Sequence, residues 1–541
     1  MKLTYNGLKD KGAWEKAGIS LPGYDPREVA ERSAVSPVWV HFGIGNIFRI
    51  FIGGICDALL EAAETDRGII CAETFDYDVV DKIYRPHDNL ALAVTLHADG
   101  RQDRKVIASL TEAIKAGPEH QQDRLREIFK DPGLQLVSFT ITEKGYALRR
   151  PDGEYLPYIA ADMENGPEKA CGAMGIVTAL LYERYLAGGS PLALVSMDNV
   201  SGNGDKLRSA VNETATVWTE KGFTEKGFVD YVSDISRVSF PLTMIDKITP
   251  RPGEEVRRQL AELGVEDMDI VVTSKKTYIA PFVNAEAPGY LVIEDSFPNG
   301  RPPLEKAGVY MTERETVIKS ERMKVTACLN PVHTAVCTYA CMLGYEMFAD
   351  GIKDTDLYEL ARQISYGEGL PAAEDPGIIS PKEFLDELMT ERFVNSYLGD
   401  TSARIAVDIS QMAGIRFGET IRAYVAKEGS AASLNAIPLA IAGWLRYLMA
   451  LDDNGDPMEL SPDPMLESLT GQLAGATFGQ PDSLGGIGSP DNKLRPILSN
   501  ERIFGSDLYK AGIGEKIETM TASMLEGKGA VRKALRQYLS K

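Results

Sequence analysis

The first half of the chain alternates short apolar runs of strand character with stretches of helical spacing, whereas the second half is helical throughout. The apolar runs are 38–42, 68–72, 134–142, 192–197 and 270–273. Strands separated by helices predict a parallel sheet with crossover connections. The later helical stretches are 325–348, 354–365, 381–393, 402–413, 415–426, 431–451 and 513–541. We therefore predict an α/β domain over residues 1–315 and a mainly α-helical domain over residues 316–541. The Pro- and Gly-rich segment 278–308 predicts an irregular connection or edge strands.

Composition excludes several classes of protein. Acidic residues outnumber basic ones by 78 to 58, which gives the 541-residue chain a formal charge of −20. Such a surface disfavours nucleic acid, although an anionic small molecule responds only to the local field. The chain begins without an apolar segment and has no run of about 18 apolar residues, which disfavours a signal peptide and a membrane span. Six Cys without a CxxC pair and five His without zinc-type spacing predict a cytoplasmic protein with neither disulfides nor a metal site.

A glycine-containing turn follows the first predicted strand and begins a predicted helix. Residues 41–49 read His-Phe-Gly-Ile-Gly-Asn-Ile-Phe-Arg. Glycines here let the backbone approach a pyrophosphate, and the helix N-terminus favours its negative charge. Phe48 replaces the third glycine of the GxGxxG pattern, so the prediction depends mainly on the position of the turn. We predict a Rossmann-type, doubly wound sheet that binds a dinucleotide. Its candidate cofactor-binding residues in this turn are Gly43, Gly45, Phe48 and Arg49.

An acidic residue ends the second predicted strand. Glu73 lies 28 residues after Gly45, and an acid in such a place accepts hydrogen bonds from the adenosine ribose hydroxyls, which favours NAD over NADP. The gap is longer than the usual ~20 residues, and a solvated acid beside Asp76 and Asp78 is the alternative interpretation. Asp88 is a further candidate for cofactor binding.

Polar residues interrupt apolar sequence in three places. Lys324, Asn330 and His333 lie near the predicted domain boundary, and the last two share one face of a helix. A solvated lysine and a core histidine are the alternative interpretation of this spacing. The segment 196–204 follows a predicted strand, where ligand sites of α/β folds open, although Asn and Gly are also ordinary turn residues. In the segment 240–250 an acid and a base interrupt apolar residues.

Six segments are more specific than these spacings. They are HFGIGNIFRIF (41–51), SFTITEKGY (138–146), SMDNVSGNG (196–204), MIDKITP (244–250), ERFVNSYLGDTSARIAVDISQ (391–411) and AIAGWLRYL (440–448). Together they resemble, in the same order, the motifs of the mannitol dehydrogenase family of polyol-specific long-chain dehydrogenases. The resemblance spans nearly the whole chain.

The resemblance implies a nicotinamide-dependent oxidation of a secondary alcohol, with a lysine as general base and NAD (NADH) as the cofactor. Lys324 matches that lysine, and Asn330 and His333 match the Asn and His that follow it in the family. The other positions that match family site residues are Asn199, Asp246 and Arg404. The expected active site lies in a cleft between the two domains, with Lys324 at the junction.

This chemistry follows elementary rules. Hydride leaves the carbinol carbon while a proton leaves its oxygen. Lysine is a poor base at its ordinary pKa of ~10.4, and desolvation in a closed cleft brings that pKa towards ~7–8. Asn199 and Asn330 then donate to the developing alkoxide, as in an oxyanion hole. His333 orients the substrate oxygen or the lysine, and no metal is required.

The sequence departs from the family pattern twice. The gap between Lys324 and Asn330 is six residues, against the usual five, so a bulge or offset must restore the geometry. Met412 occupies the position after Ser-Gln where the family usually has Lys. Arg416 is a candidate to replace that missing charge.

The family acts on mannitol, arabinitol and the hexuronate pairs fructuronate/mannonate and tagaturonate/altronate. A uronate carries a carboxylate, which needs a cation, and Arg404, Arg416 and Lys247 are candidates. The segments 328–334 and 459–464 look most like the branch of the family that reduces fructuronate to mannonate. A mannitol 2-dehydrogenase and a tagaturonate reductase are the alternatives.

Two other classes of protein share the predicted layout. A dinucleotide-binding sensor that has lost catalysis should lack at least one of the four catalytic candidates. All four are present: Lys324, Asn199, Asn330 and His333. A metal-dependent sugar-acid dehydratase or isomerase would lose activity with a chelator, and we predict no such effect. The expected partner is a small sugar acid or polyol, and the sequence is compatible with a monomer or a homo-oligomer.

Overall fold

The computed structural model describes residues 1–117 and 122–540. The chain forms two compact units, Met1–Ile318 and Lys319–Lys541. Among the described residues, no helix combines the length and the apolar character that crossing a lipid bilayer requires, and no group of three or more His, Cys, Asp and Glu side chains is arranged to hold a metal ion.

A six-stranded sheet is the centre of the first unit. Its strands in chain order are β1 Trp39–Phe42, β2 Ile69–Glu73, β3 Leu110–Lys115, β4 Leu136–Phe139, β5 Leu192–Ser196 and β6 Val238–Ser239. All neighbours are parallel, and the spatial order is β3-β2-β1-β4-β5-β6. This is the doubly wound order, in which the direction of winding changes between β1 and β4. The predicted Rossmann-type sheet is confirmed.

The central strands are buried on both faces, which explains their continuous apolar sequence. Val40, Ile70 and Val137 belong to one apolar cluster, with the helices that cover that face. Trp39, Ile69 and Leu136 belong to the cluster of the opposite face. The helices of this unit are Lys11–Lys16, Pro26–Val35, Gly53–Glu61, Gln122–Lys130, Thr142–Tyr146, Pro157–Asn165, Ala173–Leu186, Asn203–Glu220, Lys226–Ser233 and Glu254–Glu262; Arg314–Arg322 contains the unit boundary.

Three smaller sheets complete the first unit. The four-stranded sheet contains Ile19–Ser20, Gln102–Ile107, Ala91–Leu96 and Phe282–Glu286; the three-stranded sheet contains Thr243–Asp246, Tyr290–Glu294 and Tyr310–Thr312. The sequence predicted that the apolar run 270–273 is a strand of the parallel sheet, and this prediction is wrong. Instead, Val271–Val272 pairs antiparallel with Tyr278–Ile279 in a separate two-stranded ribbon. A strand of two residues is too short for its apolar sequence to indicate which strand it pairs with.

The second unit is helical, as predicted. Its α-helices are Asn330–Met342, Phe348–Lys353, Thr355–Arg362, Pro381–Glu387, Ser402–Ile405, Ile409–Arg416, Gly418–Glu428, Ala436–Tyr447, Leu466–Gln472, Arg495–Leu498, Glu501–Phe504, Gly514–Ser523 and Ala530–Leu539. Five π-helical segments occur in the described chain: Phe48–Ile52 and Val80–Tyr84 in the first unit, and Met323–Cys328, Gln363–Gly369 and Leu388–Arg392 in the second. Short 3-10 turns are Gly7–Lys9, Arg85–His87, Pro167–Lys169, Leu304–Ala307, Leu370–Ala372, Ser396–Leu398 and Pro481–Leu484.

The helix Ala436–Tyr447 is the core of this unit. Every one of its residues is buried, because its sequence is apolar on all sides. The Glu368 carboxylate accepts hydrogen bonds from the backbone N–H groups of Asn435, Ala436 and Ile437, which lack partners at a helix N-terminus.

Two predicted helices are in fact pairs of helices. The stretch 402–413 divides into Ser402–Ile405 and Ile409–Arg416, and 513–541 divides into Gly514–Ser523 and Ala530–Leu539. Lys541, the predicted end, lies outside the described residues.

Candidate active site

The turn after β1 is held by a buried histidine. His41 contacts the Ser138 hydroxyl through Nδ1, at 2.6 Å, and the Thr140 hydroxyl through Nε2, at 2.8 Å. Nε2 also lies 3.1 Å from the Gly43 carbonyl oxygen, and the ring stacks on Phe48 with a centroid distance of 4.0 Å. Burial lowers the pKa of His41 to about 3. The ring is therefore neutral and ties the turn to β4.

The two glycines of the turn have different surroundings. Gly43 has a φ of +91°, and a Cβ there would overlap the Thr140 carbonyl. Gly43 is therefore required by the fold itself. Gly45 is exposed, and a Cβ there would meet no atom within 4 Å. The open space beside Gly45 fits the close backbone approach that a pyrophosphate needs.

Two of the predicted cofactor-binding side chains are buried. Arg49 is 1% exposed, and its terminal nitrogens donate to the carbonyls of Ala280 and Pro281 at 2.7 and 2.9 Å. Phe48 is buried against His41. These contacts make both side chains supports of the turn.

The predicted ribose-binding acid does lie at the turn. Glu73, at the end of β2, accepts hydrogen bonds from the backbone N–H groups of Phe75, Asp76 and, at 3.4 Å, Ile44. Burial raises the pKa of Glu73, and these N–H groups oppose the shift. The Asp88 carboxylate, by contrast, accepts a hydrogen bond from the Tyr5 backbone N–H, in the N-terminal segment.

The loops that follow β4 and β5 are joined by a carboxylate that the sequence prediction missed. Asp198 accepts hydrogen bonds from the backbone N–H groups of Ile141 and Thr142, at 2.9 and 3.0 Å, and from the Tyr146 hydroxyl, at 2.6 Å. Thr142 has a φ of +62°, a strained conformation for a β-branched residue. Burial raises the pKa of Asp198. The acid was visible in the motif beside Asn199, but its partners are more than fifty residues away.

Asn199 itself is exposed in the loop after β5. Its neighbour in the motif, Asn203, is buried and bridges that loop to the strand Thr243–Asp246, where its side chain bonds the backbone and the hydroxyl of Thr243. Asp246 is buried at the end of this strand. Lys247 donates to the carbonyls of Glu286 and Pro288, which uses much of its donor capacity.

In the second unit, the predicted general base lies in a π-helical segment. Lys324 is 2% exposed and belongs to Met323–Cys328, where the Leu329 backbone N–H donates to the Lys324 carbonyl five residues earlier, at 3.0 Å. Such π turns are single-residue expansions of an α-helix and are frequent at functional sites. The irregularity expected from the six-residue gap before Asn330 is therefore present.

Asn330 and His333 lie in the first turn of the next helix, Asn330–Met342. The His333 ring packs edge-on against Phe348, with a centroid distance of 4.8 Å, and against Phe393, at 4.9 Å. Burial is the largest of the causes that lower the pKa of His333 to about 3. His333 is therefore neutral at any working pH and does not act as a cationic acid.

Three positive charges also lower the pKa of His333, and we call them the arginine cluster: Arg392, Arg416 and Arg404. Arg392 is 3% exposed, at the end of the π-helical segment Leu388–Arg392. The sequence prediction missed it, although it stands in the 391–411 motif directly before the apolar pair Phe393 and Val394. Arg404 is 69% exposed and forms an ion pair with Asp400. At His333 the charges of these three arginines act in the same direction, despite the negative net charge of the chain.

The sheet order, with a glycine turn at its switch point, defines a dinucleotide-binding fold, and here it precedes a helical unit that contains a buried lysine. The family model of the mannitol dehydrogenase Rossmann domain matches residues 38–306, and that of the mannitol dehydrogenase C-terminal domain matches residues 317–484. The chain therefore belongs to the mannitol dehydrogenase family, as its motifs predicted, and it is an oxidoreductase.

Individual relatives match over the whole chain. A D-mannonate oxidoreductase of Thermotoga maritima is 49% identical over 545 residues, covering 100% of this chain and 99% of the relative. A Pseudomonas fluorescens mannitol 2-dehydrogenase, solved as a ternary complex with NAD and D-mannitol, has a TM-score of 0.71 at 24% identity and full coverage of both chains. A substrate-free D-sorbitol dehydrogenase has a TM-score of 0.77 at 26% identity, covering 96% of this chain and 98% of the other. The two solved structures support the fold.

Proposed function

We propose that this protein interconverts D-fructuronate and D-mannonate with NAD(H) as the redox partner. The 49% identity to a D-mannonate oxidoreductase over the whole chain carries this proposal. The charges of the three arginines that act on His333 support it, because a uronate brings a carboxylate that positive charge attracts. The open backbone at Gly45 supports the binding of a dinucleotide.

In the proposed reaction, Lys324 is the general acid and base. In the direction of oxidation, the substrate hydroxyl gives its proton to Nζ of Lys324. A nicotinamide cofactor held at the glycine turn would supply the two-electron chemistry, as the acceptor of the hydride from the carbinol carbon. The Lys324 side chain is 2% exposed, so bulk water has little access to the amino group that would receive the proton. Reduction of the ketone runs through the same groups in reverse.

The neighbours of Lys324 have supporting roles in this proposal. The Asn330 amide donates to the oxygen on which negative charge develops. Because His333 is neutral, it orients the substrate oxygen or the lysine without adding another positive charge. Asn199 and Asp246, in the first unit, stay predictions from the family motifs.

Glu73 is the proposed determinant of cofactor choice. It sits at the end of β2 beside Ile44 of the glycine turn, where an acid accepts from ribose hydroxyls and repels the extra phosphate of NADP. We propose NAD(H) on this ground, with Gly43 and Gly45 shaping the turn.

The test is NADH oxidation by purified protein with fructuronate, tagaturonate or fructose, and with NADPH in place of NADH. We expect rapid turnover of fructuronate with NADH and little turnover of fructose. A preference for tagaturonate or for fructose would assign the chain to a different branch of the family. If NADH binds but none of the three ketoses is reduced, a dinucleotide-binding sensor becomes the better explanation.

A further inference from the structure

Arg416 has an incompletely used guanidinium beside the predicted catalytic helix. It ends the helix Ile409–Arg416, and its Nη1 donates to the Thr334 hydroxyl at 2.6 Å. Its Nε is buried and has no hydrogen-bond acceptor. Across residues 1–117 and 122–540, Nη1 alone of its donors forms a hydrogen bond. A buried donor without an acceptor costs about 1–3 kcal/mol, so an acceptor from a ligand would remove a penalty.

The geometry of this side chain suits a carboxylate. A guanidinium presents parallel N–H groups along one edge, which match the two oxygens of a carboxylate. Since Thr334 occupies Nη1, the edge formed by Nε and Nη2 is the one that remains. Thr334, which accepts from Arg416, is 1% exposed, and the ring of the preceding residue, His333, packs against Phe348 and Phe393. A charge-assisted hydrogen bond is stronger in such an apolar setting.

The charge of Arg416 is not neutralised by the part of the protein that the structure describes. Burial lowers the pKa of Arg416, and the Cys337 thiol is the one group that opposes this shift. By contrast, Arg404 is paired with Asp400, and Lys247 is bound to backbone carbonyls. Arg416 therefore differs from these two cations: the acceptor of its Nη1 is a neutral hydroxyl, and its buried Nε has no acceptor among the described residues.

We propose that Arg416 binds the carboxylate of a uronate substrate, with Nε and Nη2 donating to its two oxygens and Thr334 holding the guanidinium in place. This rests on the proposed function and deepens it. Arg416 decides between a uronate and a neutral ketose, which carries a hydroxymethyl group where the uronate has its carboxylate.

The test compares Arg416→Met and Arg416→Lys with the wild type, each with fructuronate and with fructose. The Met variant should lower kcat/KM for fructuronate by about 10²- to 10³-fold, mainly through KM, because two charge-assisted hydrogen bonds are lost. Its kcat/KM for fructose should change less than about threefold. The Lys variant keeps the charge but not the paired donors, so a loss of about tenfold is expected for fructuronate.

Arg422→Met is the matched control, because this arginine lies one helix further on and already donates to Glu419. It should leave the preference for fructuronate over fructose unchanged. Equal losses for both substrates in Arg416→Met would show a structural role and overturn the proposal, as would an unchanged kcat/KM for fructuronate.

Calorimetric binding of D-mannonate separates this proposal from the proposed function. If the wild type fails to reduce fructuronate, the proposed function is wrong, but binding still decides the role of Arg416. Binding to the wild type and its loss in Arg416→Met would support the carboxylate site. Absence of binding to the wild type, or equal binding to both, would overturn it.

Discussion

The glycine turn after β1 and the arginine cluster around His333 differ in how far their buried polar side chains are hydrogen-bonded within the protein. In the turn, the donors of Arg49 and the ring of His41 are taken up by carbonyls and hydroxyls of the same unit. In the arginine cluster, three positive charges act on one neutral ring, and Arg416 keeps a buried donor unused. The polar side chains of the turn are used within the fold, whereas in the cluster Arg416 keeps a buried donor without an acceptor among the described residues.

The two buried histidines make the same contrast. Each has a pKa lowered to about 3, but for His41 burial is the one cause that lowers it, opposed by the Gly43 carbonyl. For His333, positive charge adds to burial. The neutral His41 stabilises the turn. The neutral His333 adds no positive charge to that of the three arginines.

The largest expected effect concerns Lys324. Lys324→Met removes the proposed proton acceptor while keeping an apolar stem in a buried position, so kcat should fall by about 10²- to 10⁴-fold. NADH binding, measured by fluorescence, should stay within about twofold of the wild type. If the variant turns over at the wild-type rate, Lys324 is not the general base.

The next effect separates the two glycines of the turn. Gly43→Ala should lower the free energy of unfolding by about 2–4 kcal/mol, since a strained φ adds to overlap with the Thr140 carbonyl. Gly45→Ala meets no protein atom, so it should change unfolding by less than about 0.5 kcal/mol and instead raise the KM for NADH. Chemical denaturation and steady-state kinetics measure the two effects. Equal destabilisation by both substitutions would contradict the distinction between a fold glycine and a ligand glycine.

A smaller effect appears in the pH dependence of stability. The ordinary histidine pKa of 6.5 applies to the unfolded chain, and His41 titrates near pH 3 when folded. Between these values only the unfolded chain takes up the proton, so stability falls as the pH falls from 6.5 and is independent of this group above it. His41→Gln should therefore reduce the slope of unfolding free energy by up to about 1.4 kcal/mol per pH unit. The same slope in wild type and variant, measured by urea denaturation from pH 7 to about 4.5, would show that His41 is protonated when folded.

The smallest effect is expected at the exposed end of the arginine cluster. Arg404 pairs with Asp400 four residues earlier, before the helix Ser402–Ile405 begins, and exposed ion pairs contribute about 0.2–1 kcal/mol. Arg404→Gln should therefore change the thermal midpoint by no more than a degree or two. If the KM for fructuronate changes while the thermal midpoint does not, Arg404 contributes to substrate binding. A strong loss of stability would instead make Arg404 a structural residue.

Local sequence was sufficient for the centre of the sheet but not for its margins. The strands β1, β2, β4 and β5 are buried on both faces, so their apolar runs were visible. The edge strand β3 contains two charged residues, Glu112 and Lys115, and β6 has only two residues. Neither strand therefore produced a clear signal. An edge strand has one neighbour and needs less apolar sequence.

The same limit applies to the site. Lys324, Asn330 and His333 lie within ten residues of one another, and the resemblance to the family motifs, rather than their spacing, suggested a shared role. Arg392 acts on His333 from a segment 59 residues further on, and Asp198 reaches Tyr146 across 52 residues. Such contacts depend on tertiary packing, which residue spacing does not encode.

The π-helical segment under Lys324 has a consequence for how the chain tolerates insertion. In a uniform α-helix one added residue rotates everything beyond it by about 100°. The wide turn at Met323–Cys328 absorbs one residue, so the helix that begins at Asn330 keeps its angular phase relative to the helix before it. With the π turn, a gap of six residues from Lys324 to Asn330 gives about the same angle between the two residues around the helix axis as a gap of five residues gives in a uniform α-helix. The π turn thus preserves the helical phase across the added residue.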